Sequence, residues 1–479
     1  MDLGDMPTGE LRAHGHALVD WVADYLGRVG DLPVLPTVRP GEIRSRVPAA
    51  PPASGEPMEE ILADLDRVVL PGITHWNHPR FHAYFAITAS GPGILGELAA
   101  AALNVNAMLW RTSPAATELE QAVTDWVRHL LGLPEAFRGV ILDTASTSTL
   151  VALAAARERR FPGVREDGPA GYGGAVPRVY CSEQAHSSVE KAAITAGIGR
   201  GNVVQIATDD EFRMDPKELA RAIGDDLAAS RAPIAVVATV GTTATTSVDP
   251  VPDVAEICAR HGIWLHVDAA YGGVAAIAPE RREVLAGADR ADSFVVNPHK
   301  WLFTPIDCSV FLVRDPDAIK RAFRLVPDYL ATDDEDVEAL MDWGFQLGRR
   351  FRALKLWMVL RWFGSEGVAA RIREHLRLAE IAVDWIDESE HFERVAPTPF
   401  STVCFRALFD GVDAAQADDR NRSLLDAVNA TGRSYLSHAV LGGRYVLRLA
   451  IGNLRTTEDD VRETLSLLDR EAARLRPPG

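Results

Sequence analysis

Cysteine is scarce and scattered. The four residues, Cys181, Cys258, Cys308 and Cys404, lie far apart with no Cys-x-x-Cys spacing. That argues against a zinc site or a disulfide framework and for reduced thiols. The chain also lacks an apolar run of about 18 residues, the length a membrane helix needs, and it has no basic-then-apolar leader. The expectation is a cytoplasmic protein with no membrane partner. Positive charge is in deficit: 50 Lys and Arg face 67 Asp and Glu, for a net charge of −17. With no basic cluster to offset it, nucleic acid is excluded as a partner and the acidity reads as solubility. His75, His78 and His82 come close together but have no acidic or cysteine companion, so no metal site is expected.

What is present is the composition of a globular protein, 47% hydrophobic and 24% charged. Apolar residues Leu18, Trp21, Val22, Tyr25 and Leu26 recur at helical spacing within Leu11 to Val29, a stripe that must cover a neighbouring domain or a second subunit. Seven prolines between Pro33 and Pro57 rule out a long helix there and read as an extended arm. A second amphipathic helix follows at about Met58 to Val69.

From about residue 93, helices alternate with short apolar runs: Gly139–Leu142, Arg178–Cys181, Val203–Ile206, Ile234–Val240, Ile263–Val267, Ser293–Val296 and Ser309–Val313. Helical stretches such as Pro216–Ser230 and Val251–His261 lie between them. Such alternation predicts an α/β fold with a mostly parallel sheet covered by helices, and a ligand beyond the carboxyl ends of the strands. Ala331 to Phe345 is crowded with acid and reads as a mobile surface loop. A long helix is predicted from about Gly348 through Trp362. The expected domains are an N-terminal helical arm at 1–85, a large domain at 86–365 and a smaller α+β domain at 366–479.

The chemistry is written most sharply in Ser293-Phe294-Val295-Val296-Asn297-Pro298-His299-Lys300-Trp301. An apolar strand runs out at a lysine, and partial burial there favours the neutral, nucleophilic amine that condenses with an aldehyde. Upstream, Leu265-His266-Val267-Asp268-Ala269-Ala270-Tyr271 places a carboxylate at the end of another strand, where it can hold a pyridinium nitrogen protonated. Pyridoxal phosphate is the cofactor that requires both groups. Taken singly, each is a bland feature: a snorkelling lysine, a capping aspartate.

These two segments, with Gly72-Ile73-Thr74-His75-Trp76, Ser113-Pro114 through Glu120, Gln184-Ala185-His186-Ser187-Ser188 and Leu347-Gly348-Arg349-Arg350, are similar to the pyridoxal-phosphate decarboxylases that include aromatic-L-amino-acid decarboxylase. The resemblance covers nearly the whole chain. It implies the aspartate-aminotransferase-like fold type I, pyridoxal 5'-phosphate as cofactor and a homodimer interlocked through its N-terminal helices, with active sites at the interface. It assigns Lys300 to the cofactor aldehyde, Asp268 to its ring nitrogen and His186 to stacking on the ring. Ala145 and Ser146 hold the phosphate with Asn297 and His299, Thr243 lies beside the ring and Ala270 packs beneath it. Trp76, Tyr84 and Phe85 line the substrate's ring pocket. A Ser/Thr run such as Thr144–Thr149 is by itself only a helix-cap signal.

The expected reaction is decarboxylation of an L-amino acid, aromatic by resemblance, to the amine and carbon dioxide. Three departures bear on it. Leu340 aligns where family members carry a loop tyrosine that helps protonate Cα, Ala86-Ile87 replaces Pro-Thr beside the ring pocket, and Asn106 with Met108 replaces larger apolar residues. Plant relatives lacking the tyrosine give an aldehyde, ammonia and hydrogen peroxide, so an aromatic aldehyde synthase is the alternative. An aminotransferase and an inert cofactor-binding relative stand further off. No arginine marks a clamp for a distal carboxylate, and Gly348 leaves room for an indole.

Overall fold

The computed structural model describes residues 4–325 and 337–476. In chain order its strands are β1 (Phe81–His82), β2 (Arg138–Leu142), β3 (Pro177–Ser182), β4 (Val203–Ile206), β5 (Ala232–Thr239) and β6 (Trp264–Asp268). They continue with β7 (Ser293–Val296), β8 (Ser309–Val313), β9 (Phe392–Arg394), β10 (Thr402–Ala407), β11 (Tyr435–Leu441) and β12 (Arg444–Ala450).

The large sheet runs β2-β8-β7-β6-β5-β3-β4. β8 pairs antiparallel with both its neighbours, and every other pairing in the sheet is parallel. All eight residues of β5 are buried, and they alternate between two apolar layers. Val236 and Ala238 face the helices Pro216–Ala228 and Val251–His261. Ala235 and Val237 face Ala145–Arg160 and Ser188–Thr195. A strand buried on both faces has no polar side to alternate with, which is why these runs are continuously apolar. Each fully buried Val or Ile contributes about 1.5–3 kcal/mol relative to exposure.

Register brings the chemistry together. Thr239 pairs with Asp268 and Asp268 with Val295, so the carboxyl ends of β5, β6 and β7 lie side by side. The segments that leave them, Gly241–Thr243, Asp268–Tyr271 and Asn297–Lys300, share one edge of the sheet.

The small sheet runs β1-β11-β12-β10-β9. Its core joins Phe405, Leu447 and Leu424 to Leu378, Ala382 and Ile386 of the long helix Arg352–Asp387. That helix is broken at Gly364, φ 65°. It starts four residues later than its periodicity predicts: Gly348 to Phe351 are not helical, and the Arg349 side chain is drawn into a buried ion pair with Glu120. β1, from the end of the expected arm, pairs in parallel with β11, Phe81 against Tyr435. The first helix, Thr8–Arg28, buries none of its residues within the chain.

The loop expected over 331–345 lies outside the described residues as far as 336. Beyond that the reading needs correction. Leu340–Trp343 is a short 3-10 turn, with Leu340 1% and Trp343 2% exposed against Val140, Phe311 and Ile319. The acidic residues before it hid two apolar side chains, Leu340 and Trp343, that dock on the sheet. Among the described residues no helix is long and apolar enough to cross a membrane.

Candidate active site

Asp268 closes β6, 6% exposed, and its Oδ1 accepts the Ala270 N–H at 3.1 Å, which fixes the carboxylate. Asn297 N–H donates to Ala270 O at 3.1 Å, and Lys300 N–H donates to Asn297 O at 2.9 Å. The two strand exits are thus tied to one another. Ala145, Ala270 and Val295 touch, so the start of the Ala145–Arg160 helix joins this floor. Thr144 precedes that helix without a side-chain cap, and Ser146 is exposed in its first turn. The helix therefore offers N–H groups and the positive end of its dipole to an anion.

Asn297 is 2% exposed and its Oδ1 has no hydrogen-bond partner among the described residues. His299 Nδ1 accepts the Cys308 N–H at 2.9 Å, leaving its proton on Nε2. Burial, reinforced by the neighbouring Lys300 charge, pulls this imidazole down to about 4, so it stays neutral. An uncapped helix start and a neutral ring donor together suit a phosphate group, to which Asn297 could donate only through its amide nitrogen. Gly241, φ 92°, lets the β5 exit approach the β6 exit: a Cβ there would lie 3.0 Å from Gly272 N.

Above the floor opens a cavity of about 510 Å³ lined by Trp76, Tyr84, Phe85, Ile87, His186, Thr243, Lys300 and Arg448, among others. Lys300 Nζ stands 5.2 Å from the Phe85 ring centroid. Burial holds its amine below the ordinary lysine range, and the Asp268 charge only partly restores it. His186 Nδ1 accepts the Ser188 N–H at 3.1 Å, so Nε2 carries the proton. Burial and then Lys300 lower its pKa, with Asp268 opposing them.

A column of rings holds Phe85. It stacks on Tyr271 at 4.0 Å, and Tyr271 stacks on Trp301 at 4.9 Å. Trp301 Nε1 donates to His375 Nδ1 at 2.8 Å, and His375 Nε2 donates to Asn453 O at 3.1 Å. Each stack contributes about 0.5–1.5 kcal/mol beyond area burial.

Trp76, Tyr84, Phe85, His186, Thr243 and Lys300 thus meet at one cavity, with Asp268, Ala270, Ala145, Ser146, Asn297 and His299 assembled at the strand ends that form its floor. Leu340 does not line it. Asn106, Met108 and Gly348 meet elsewhere: Arg349 N–H donates to Asn106 Oδ1 at 2.9 Å, and Met341 N–H to Met108 O at 3.0 Å. His75 and His78 bond Tyr25 and the Arg80 N–H, and His82 contacts Ala450 O, so their rings turn to the protein rather than to one ion.

One cavity residue the sequence reading passed over is an arginine. Arg448, 3% exposed, lines the cavity. Its Nε donates to Ala244 O at 2.7 Å and its Nη1 to Ser437 Oγ at 2.9 Å, with no carboxylate in reach among the described residues. The signal was an arginine inside the apolar strand Val446-Leu447-Arg448-Leu449.

With this geometry in hand, relatives can be weighed. The family model described as the pyridoxal-dependent decarboxylase conserved domain matches residues 40–408. The chain is 41% identical to phenylacetaldehyde synthase of Arabidopsis thaliana, covering 99% of this chain and 98% of that one. It is 40% identical to aromatic-L-amino-acid decarboxylase of Catharanthus roseus, covering 96% and 93%. The solved structure of Oryza sativa TDC with PLP and tryptamine superposes with a TM-score of 0.95 at 38% identity, covering 99% of both chains. The sheet and its helices are the fold-type-I architecture that the resemblance implied. The Asn297–Lys300 segment, the fold and these relatives converge, and the chain belongs to the pyridoxal-dependent decarboxylase family.

Proposed function

We propose that this pyridoxal-phosphate enzyme decarboxylates an L-amino acid with an aromatic side chain, releasing carbon dioxide and the amine. The observation that carries the proposal is Lys300: an amine whose pKa burial lowers from the ordinary lysine value, in a cavity walled by Trp76, Tyr84 and Phe85, beside the strand end that carries Asp268. A family relative named aromatic-L-amino-acid decarboxylase supports the same substrate class.

In this reading Lys300 holds the cofactor's aldehyde carbon and Asp268 its ring nitrogen. His186 covers the ring, Ala270 and Thr243 bound it, and Ala145, Ser146, Asn297 and His299 take the phosphate. The bound cofactor supplies an electron sink for the pair left behind when the Cα–carboxylate bond breaks. The chain's own residues do the rest. Asp268, buried and fixed by Ala270 N–H, would set its carboxylate against the ring nitrogen. Neutral His299 donates through Nε2 without adding charge. His186 presents a protonated Nε2 to the cavity, placed to move a proton near the reacting carbon. Arg448, anchored by Ala244 and Ser437, keeps unspent N–H groups for the substrate's carboxylate. The aromatic wall excludes water from the apolar side chain.

The test is purified enzyme with tryptophan, tyrosine and phenylalanine, following carbon dioxide, amine and peroxide. Amine equal to carbon dioxide is expected, and peroxide equal to carbon dioxide without amine rejects it. The aldehyde-synthase alternative keeps support from the phenylacetaldehyde synthase relative. Its argument from Leu340 stands, because a leucine packed in the protein's own core cannot donate a proton.

A homodimer belongs to the same proposal. The Thr8–Arg28 helix leaves Leu11 61% and Val19 47% exposed, a face that a second copy would cover. Light scattering at the mass of one chain with full activity contradicts it. A cytoplasmic location belongs to the same proposal, and four free, buried thiols support it.

A further inference from the structure

Tyr84 is held in a backbone conformation that residues with a Cβ avoid, φ 51°. Three anchors from the C-terminal sheet keep it there. Its N–H donates to Ser437 Oγ at 3.1 Å, its carbonyl accepts from Arg448 Nη2 at 3.5 Å, and its hydroxyl meets that of Tyr435 at 3.0 Å. The ring stacks on Trp76 with centroids 5.9 Å apart, and the residue is 51% exposed. It is therefore part of the cavity wall and not of the core. Tyr435 stands on β11 beside β1, edge-on to both Phe81 and Tyr84.

The geometry points to the Tyr84–Tyr435 hydroxyl pair as a subsite for a hydrogen-bonding substituent on the substrate's ring, one that selects a phenolic side chain over a plain phenyl. This inference rests on the aromatic substrate proposed above. The two phenols carry one hydrogen each, and one of these is used between them. Neither oxygen has another hydrogen-bond partner among the described residues. The pair therefore keeps one hydrogen to donate and lone pairs to accept, which is the complement of a phenol. Burial, with the Tyr84 contact, raises the Tyr435 pKa, so the pair offers a hydrogen and not a charge. Trp76, Phe85 and Ile87 give apolar contact to either ring and cannot tell the two apart. A hydrogen-bonding pair can, because a substrate without the hydroxyl leaves it unmatched.

A purely mechanical role, clamping the strained Tyr84, makes a different prediction, and kinetics separate the two. The wild-type holoenzyme is expected to favour tyrosine over phenylalanine in kcat/KM. Tyr435→Phe should lower that ratio about tenfold, mainly through the KM for tyrosine. Tyr84→Phe should act in the same direction. A ratio unchanged in both variants, or no wild-type preference for tyrosine, overturns the subsite. If the wild type turns over none of the aromatic amino acids, the functional proposal fails instead. Calorimetry with tyramine and 2-phenylethylamine then decides the subsite by itself: tighter tyramine binding that Tyr435→Phe abolishes supports it, and equal affinities overturn it.

Discussion

On the proposed function, Lys300 and Asp268 would act through charge more than through shape. Asp268→Asn keeps the size of the side chain and an oxygen for the Ala270 N–H, so the fold should survive. Removing the charge is expected to lower kcat at least about 100-fold, measured as carbon dioxide release under saturating cofactor. These residues were legible in the sequence because each sits in a short local motif at a strand end. Arg448 and Tyr435 were not. What gives them meaning is Ala244, Ser437 and Tyr84, which reach them only through folding. An arginine in an apolar strand announces that something polar lies beyond it, but the sequence alone does not say what.

Among elements, the ion pair of Arg349 and Glu120 carries the most strain-sensitive junction. Their side chains are 4% and 1% exposed. Arg349 Nη2 donates to Glu120 Oε1 at 2.6 Å and to Ile141 O at 3.0 Å, and Ile141 N–H donates to the same carboxylate at 2.8 Å. This joins the Pro114–Leu130 helix, β2 and the approach to the long helix. Glu120→Ala leaves a buried guanidinium unpaired and is expected to destabilise by about 3–5 kcal/mol, read from urea unfolding. The seven strands of the large sheet were recovered from sequence to within a residue or two because continuous β-branched runs between helices permit little else. The start of the long helix and the Leu340 turn were not, since a buried ion pair in one and docking on the sheet in the other overrode the local pattern.

At the scale of the whole molecule, buried histidines set the response to acid. His82, His266, His299 and His375 are all brought down to about 4, chiefly by burial. Unfolded, they titrate near 6.5. Above that value both states are neutral and stability is flat. Between about 6.5 and 4 the unfolded chain binds protons first, so each histidine removes about 1.4 kcal/mol per pH unit. Asp249, raised to about 6 by burial, acts in the opposite direction below that pH, as do Glu158 and Asp342, which burial also raises. His75, His78 and His186, lowered by burial, add to the histidine side. Urea midpoints should therefore fall steeply from pH 6.5 to 5 and hardly change from 7 to 8. The chain's closure has a further consequence. β1 leaves the ribosome early yet finds its neighbour in β11 only after Tyr435 has been made. Until then its edge is unpaired, and the aromatic wall beside it has no backing. A chain stalled in synthesis before that point would already contain Lys300 and Asp268 and still lack a finished pocket, so competence arrives late and all at once.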